Sequence, residues 1–241
     1  VQSPTTSSPV LPEQTITAPE YKRAEAGDAD AQFNLALQLE ADGKLEEAVS
    51  WYQRAADQNQ AEAQYNLGYA YLEGNYLPKS YVNAEIWFLS AAKQGLAIAQ
   101  HMMGFFYAEG HPGVPKSFEK STHWYRKAAG QDFASAQAEL GYIYAEGKIV
   151  ESNPTEASYW FLKAAENHII DAQFQIGIRL ARGDGVEQNV VDGYMWLLIA
   201  CDGNHEGAQT VRDKLKLQMN FAQITEAQTR SGKYIAKIPQ K

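Results

Sequence analysis

From Ala63 onward, small and apolar side chains fall at four-residue steps, Ala63, Leu67 and Tyr71, with Gly68 set into the stripe. That spacing lies on one face of a helix. After an interval marked by Gly74, a second helical pattern carries Ala84, Trp87, Ala91 and Ala92. The large ring and its small neighbours are expected to interlock as a knob and its seat. Gly68 recurs as Gly104, Gly141 and Gly177, and as Ala36 in the first unit. A missing side chain there lets a partner helix approach closely, offsetting glycine's cost of about 1 kcal/mol inside a helix. The pattern therefore predicts pairs of antiparallel helices.

Two landmarks keep one register along the whole chain. Trp51, Trp87, Trp124, Trp160 and Trp196 are spaced 36, 37, 36 and 36 residues. Ala63-Gln64, Ala99-Gln100, Ala136-Gln137, Ala172-Gln173 and Ala208-Gln209 follow the same step, and Ala31-Gln32 precedes them by a shorter one of 32. A repeat of this length predicts an all-α, right-handed α-solenoid of helix hairpins.

The helix ends are written in that register. Ser80, Ser117, Asn153 and Asn189 stand seven residues before a tryptophan and are N-cap types. Asn153 is followed by Pro154 and by Glu156 at the capping-box position. Eight residues after each tryptophan stand Asn59, Gly95, Asp132, His168 and Asn204, all types that tolerate the left-handed conformation closing a helix. Gly74, Gly110, Gly147 and Gly183 mark the turns between helices. In the first unit about four loop residues and the Ser/Asn cap are missing. The resulting division is a Ser/Thr/Pro-rich tether over 1–19, a short first repeat over 20–60, four longer repeats over 61–204 and a C-terminal helical cap over 205–241. The cap reads as helices over 206–219 and 221–232, the second opened by a capping box at Asn220 and Gln223. Terminal units of an array close its hydrophobic surface against water.

A net charge of −8 without a basic run argues against a nucleic-acid surface. No stretch approaches the length of apolar sequence that a membrane span needs. The single cysteine, Cys201, excludes an intramolecular disulfide framework, and its place in the repeat is that of a small buried hydrophobe. Five histidines, His101, His111, His123, His168 and His205, show no metal-ligand spacing. His168 reads as a helix terminator, and Gly183-Asp184-Gly185 as an inter-helix turn in place of a phosphate loop. Paired acids such as Glu46-Glu47 lie at an exposed helix start. Neither enzyme chemistry, nor a cofactor, nor a metal is expected. The tether composition and the start at Val1 lead to an expectation of export, periplasmic or secreted, with the cytoplasm as the alternative.

The motif A-x-x-x-L-G-x-x-Y-x-x-G, a loop, and A-x-x-W-[YF]-x-x-A-A stands here as AQYNLGYAYLEG with AEIWFLSAA and as AQAELGYIYAEG with ASYWFLKAA. It resembles the Sel1-like repeat (SLR) family of the tetratricopeptide-like superfamily, over about residues 22–232. The closing segment with YMWL, AQTVRDKLKLQM and NFAQITEAQ is similar to that of many bacterial members. The resemblance implies a bacterial adaptor that holds partner proteins in envelope, signalling or host-interaction assemblies. A disulfide-stapled branch of the family is associated with penicillin binding, and one cysteine is too few for it.

In tetratricopeptide-like geometry, positions two before and two after the Leu face a concave groove. Here they are Phe33 and Leu37, Tyr65 and Tyr69, His101 and Phe105, Ala138 and Tyr142, Phe174 and Ile178. Exposed aromatics of this kind would anchor a bound peptide or helix; the alternative is that the stack buries them between first helices. Tyr65, Tyr69 and Tyr142 are expected to be the most open, because their hydroxyls want water or a partner. Glu73, Glu109 and Glu146 form an acidic row at the ends of the first helices, interrupted by Arg182, and would receive basic partner residues or serve only as solvated charge. The expected function is a non-enzymatic scaffold that captures a protein or peptide along the first helices. The alternatives are a structural or self-assembling module, with weak association through terminal repeats, and a cell-wall or β-lactam-interacting protein.

Overall fold

The helix-forming stripes, the caps and the left-handed terminators all act within a few residues, and the resulting elements follow the repeat. A computed structural model describes residues 17–74, 76–147 and 151–237. Among these, the regular elements are thirteen helices: α1 Ala18–Glu25, α2 Ala29–Ala41, α3 Leu45–Asp57, α4 Ala61–Glu73, α5 Tyr81–Lys93, α6 Ala97–Glu109, α7 Phe118–Ala129, α8 Ala134–Glu146, α9 Pro154–Glu166, α10 Ile170–Arg182, α11 Val190–Asp202, α12 Ala208–Lys216 and α13 Phe221–Ile235. The fold is all-α and of the helical-repeat solenoid class. It divides into one unit comprising residues up to Ala99 with His111–Pro115, and a second comprising Gln100–Gly110 with the residues from Lys116 on.

The terminators behave as their types require. Asn59, Asp132, His168 and Asn204 take φ of 64°, 59°, 65° and 59°, and Gly95 takes 98°. Ser80, Ser117, Asn153 and Asn189 each accept a backbone N–H three residues on, at 3.2, 3.4, 3.1 and 3.0 Å. Asn220 and Gln223 form the reciprocal capping box. One cap differs from expectation: the Glu156 carboxylate accepts from the Trp160 indole at 3.1 Å. The ring four residues along offers a donor on the same helix face, so Glu156 turns along the helix.

The knob of each hairpin also differs. The side chain over the small position is the residue after the tryptophan. A Cβ built on Gly68, Gly104 or Gly141 would meet the ring of Phe88, Tyr125 or Phe161 within 2.8, 2.5 and 2.6 Å, and on Gly177 would meet Leu197 at 3.0 Å. Phe88, Tyr125, Phe161 and Leu197 are all buried, whereas Trp51, Trp87 and Trp160 are only half-buried. The two neighbours point about 100° apart on a helix, so one of them faces the partner helix squarely and the other lies at the edge.

A glutamine ladder stitches successive hairpins inside each unit. Gln32, Gln64, Gln137 and Gln173 are buried, and each Nε2 donates to a carbonyl eight residues back: Ala24, Ala56, Ala129 and Ala165. The Oε1 atoms of Gln32, Gln64 and Gln137 accept from an amide at the end of their own second helix, Gln58, Gln94 and Asn167, at 2.8, 2.8 and 3.0 Å; Gln131 serves Gln100 in the same way at 2.8 Å. Each of those alanine carbonyls already accepts the backbone N–H three residues on that closes its helix, and the Gln amide occupies its second lone pair. The sixth pair leaves this series, because Gln209 is exposed.

The ends depart from the expected division. Residues 1–16 of the 1–19 tether lie outside the described residues, while Ala18 and Pro19 open α1. Gln32 bonds Ala24 as later glutamines bond second helices, so α1 occupies a second-helix place ahead of the first full hairpin. At the other end α13 packs on α11, and Tyr234 lies edge-on to Trp196 with ring centroids 5.1 Å apart. The cap thus covers apolar surface, yet its α12–α13 turn leaves Leu217 and Phe221 standing in water.

Candidate functional site

In the first unit, the expected face is only partly open. Phe33 is half-buried against Tyr52, with ring centroids 6.0 Å apart, and Leu37 packs beside it. Tyr65 is a correction: it is buried, its ring tilted on Phe88 at 5.5 Å, and burial then the neighbouring Tyr69 push its hydroxyl up to about 12. Tyr69 remains half-buried and Glu73 exposed.

In the second unit the face is better developed. His101 is the second correction. It is 9% exposed, wedged between Tyr125 at 5.5 Å and Phe133 at 5.1 Å, and burial lowers its pKa to about 4. The ring is therefore neutral at neutral pH and serves packing. One turn further along α6, Phe105 is half-buried and Glu109 exposed. On α8, Tyr142 is half-buried and Glu146 exposed, repeating that spacing of four. Phe174 and Ile178 on α10 are half-buried among the residues around α11, and Ala138 is half-buried on α8. Arg182 is exposed, where earlier repeats carry acids.

Four side chains that the Leu-centred spacing did not select complete this face. Glu139, one residue before Leu140, keeps solvent contact yet lies deep enough in surrounding protein that desolvation, then Glu109 and Glu146, hold its carboxyl above the usual range. The three acids form one negative patch between α6 and α8. Its cue in the sequence was an acid where other repeats place Asn66, Met102 or Gln175.

Beside the patch, the Tyr142 hydroxyl donates to Asp171, whose other oxygen lies 2.9 Å from His205 Nε2; the His205 ring stacks on Phe174 at 4.1 Å. This chain ties α8, the start of α10 and the turn after α11, and it holds the Tyr142 ring edge-on to Phe161 at 4.9 Å. Residues brought together across such separations leave no local spacing to read: Asp171 and His205 are 34 apart in the chain and Tyr142 and His205 are 63 apart.

Arg179 also went unselected. Its side chain is 11% exposed, lies over the Phe161 ring at 5.4 Å and reaches Asp184 Oδ2 at 3.4 Å. Burial lowers its pKa and Asp184 opposes the shift. With Ser158 donating to the Asp184 carbonyl at 2.7 Å, the Gly183–Gly185 turn is clamped to α9. That turn is structural.

The face offers apolar rings and carboxylates. Among the described residues no three His, Cys, Asp or Glu side chains stand where they would hold a metal ion. Burial raises the Cys201 thiol above its ordinary value. No helix among the described residues is long and apolar enough to cross a membrane.

The Sel1 repeat family model matches five segments, residues 29–60, 61–96, 97–133, 134–168 and 170–205. No match was found among curated proteins. Solved structures similar to this chain include these three. A Sel1 repeat protein from Oxalobacter formigenes shares 28% identity over 79% of this chain and 85% of its own, with a TM-score of 0.70. A protective antigen present in uropathogenic Escherichia coli strains, displaying an SLR fold, shares 27% identity over 90% of this chain at a TM-score of 0.57; the chain spans 55% of that protein. A putative Sel1 repeat protein from Klebsiella pneumoniae, 22% identical over 83% of this chain and 98% of its own, has a TM-score of 0.50 and shares the fold.

Proposed function

The chain belongs to the Sel1 repeat family, and from that premise we propose that it is a non-enzymatic scaffold whose first-helix faces capture a protein or peptide. Sel1 repeat proteins generally mediate protein–protein interaction. The observation that carries the reading is the repeated pair of a half-buried ring and an exposed acid four residues on: Tyr69 with Glu73, Phe105 with Glu109, and Tyr142 with Glu146. A half-buried aromatic is held rigid by its core side and offers apolar area at little entropic cost. The acids beside it favour a partner segment that carries lysine or arginine, and set its register more than its affinity.

Tyr65 and His101 have no place in this contact surface, and Glu139 joins it. Phe33 lies on the first-helix face of the first unit and Phe174 on that of the second. The test is affinity capture with the purified chain, comparing it with a Phe105→Ala/Tyr142→Ala variant of unchanged helicity and melting temperature. Loss of the captured protein is expected. Equal capture by both would remove the face from the function. We also propose an exported location, on the Ser/Thr/Pro-rich composition of residues 1–19; cell fractionation tests it.

A further inference from the structure

Charge is distributed along this chain with a strong bias. Residues 207–241 carry seven Lys or Arg and two Asp or Glu, a net of +5. Residues 1–206 carry fourteen and twenty-seven, a net of −13. The basic end contains the most exposed large apolar side chains among the described residues: Leu217 at 88% and Phe221 at 84% exposure, on either side of the α12–α13 turn. Lys214 and Lys216 precede them on α12, both exposed and in no described ion pair. Folding leaves two bulky apolar groups in water here. Removing such apolar area from water is favourable, so the turn carries an unused driving force for association.

We propose that the α12–α13 turn docks onto the α6–α8 face of a second copy of the chain, Leu217 and Phe221 meeting Phe105 and Tyr142, and Lys214 and Lys216 meeting Glu109, Glu139 and Glu146. The proposal rests on the reading of that face as a protein-binding surface and names its occupant. Charge complementarity selects the second copy: the face gathers three acids, and the turn pairs apolar bulk with two lysines. The raised Glu139 carboxyl adds support, because a group disfavoured as an anion by burial and by two like charges gains from an arriving ammonium. The contact is head-to-tail, since the two surfaces differ. Each copy then keeps a free turn at one end and a free face at the other, and addition continues to chains or closes to a ring.

The test is sedimentation equilibrium of the full chain across concentration and sodium chloride. The wild type is expected to exceed monomer mass at low salt, with association weakening several-fold once screening sets in near a Debye length of about 8 Å. Lys214→Glu/Lys216→Glu and Glu109→Lys/Glu139→Lys each alter exposed positions, and each alone is expected to stay monomeric. An equimolar mixture of the two is expected to associate again, because each supplies the charge that the other lacks. Leu217→Ser/Phe221→Ser is expected to lose association at least tenfold with an unchanged melt.

A wild type that is monomeric throughout, a lysine-reversed turn that associates like the wild type, or a mixture that stays monomeric each overturns the proposal. So does a monomer that co-sediments with phosphatidylserine vesicles in a Leu217- and Phe221-dependent way, which assigns the turn to a membrane surface. The turn lies outside the first-helix face, so failure of its variants to change mass leaves partner capture through Phe105 and Tyr142 standing. Failure of both sets removes the face itself.

Discussion

The Phe161 ring lies so close over Gly141 that a Cβ there would stand 2.6 Å from its Cδ1. The two residues come from the facing helices of one hairpin, and their contact fixes how near α8 and α9 approach. Gly141→Ala is therefore expected to destabilise the protein by about 1–2 kcal/mol, the cost of overpacking less alanine's helical gain. Adding Phe161→Leu should recover part of that loss, since Gly177 already faces a leucine. Urea denaturation of the single and double variants measures both.

The buried glutamines carry a separate share of stability. Gln64 donates to the Ala56 carbonyl at 3.1 Å and accepts from Gln94 at 2.8 Å, at 3% exposure. Gln64→Leu keeps the volume and leaves the Ala56 carbonyl without this donor. A loss of about 1–3 kcal/mol is expected. Gln209→Leu, at an exposed position, should change stability by less than about 0.5 kcal/mol. Equal effects from the two would show that the ladder contributes nothing.

His101 makes stability depend on acid. Its pKa falls from 6.5 unfolded to about 4 folded, because burial disfavours the charged ring. The unfolded chain thus binds the proton first, and the contribution is full above about 6.5 and lost as pH falls toward 4. A shift of this size corresponds to about 3 kcal/mol. Glu139 acts in the opposite sense, since its raised folded pKa adds stability as pH falls. His101→Phe places the residue type found at Phe33 and Phe174 and should flatten the pH dependence between 6.5 and 4 in thermal melts.

The turn after α10 is expected to tolerate no side chain at Gly185. A Cβ there would lie 2.1 Å from the Pro154 backbone, at a φ of 71°. Backbone cannot step aside as a flexible side chain does, so Gly185→Ala should cost more than about 3 kcal/mol in urea unfolding. Gly43→Ala, with nothing near it, bears only the strain of its φ of 74° and serves as the control.

The helix ends were legible in the chain because their causes are local. Asn59, Asp132, His168 and Asn204 each satisfy a backbone need within a turn of their own position, and residue type at fixed spacing encodes that need. Helix α1 was not legible: APEYKRAE is short and highly polar, and Ala24 alone of its residues is buried. What holds it is the Gln32 bond to Ala24, a partner eight residues away whose value depends on α2.

The face shows the same division. Tyr65 and Tyr142 flank their leucines two residues before and two after, as the repeat pattern allows, yet Tyr65 is closed by Phe88 while Tyr142 stays half-open, held by Asp171. The repeat register, the helix terminators and the Ser and Asn N-caps were determined by the sequence alone, since each cap and terminator depends on neighbours within a few residues. Which ring is exposed, which residue seats on the glycine, and that Glu109, Glu139 and Glu146 share one patch were decided by tertiary structure. Burial and Coulomb energy depend on distance in space, and helix packing sets that distance between residues 20 to 30 apart in the chain.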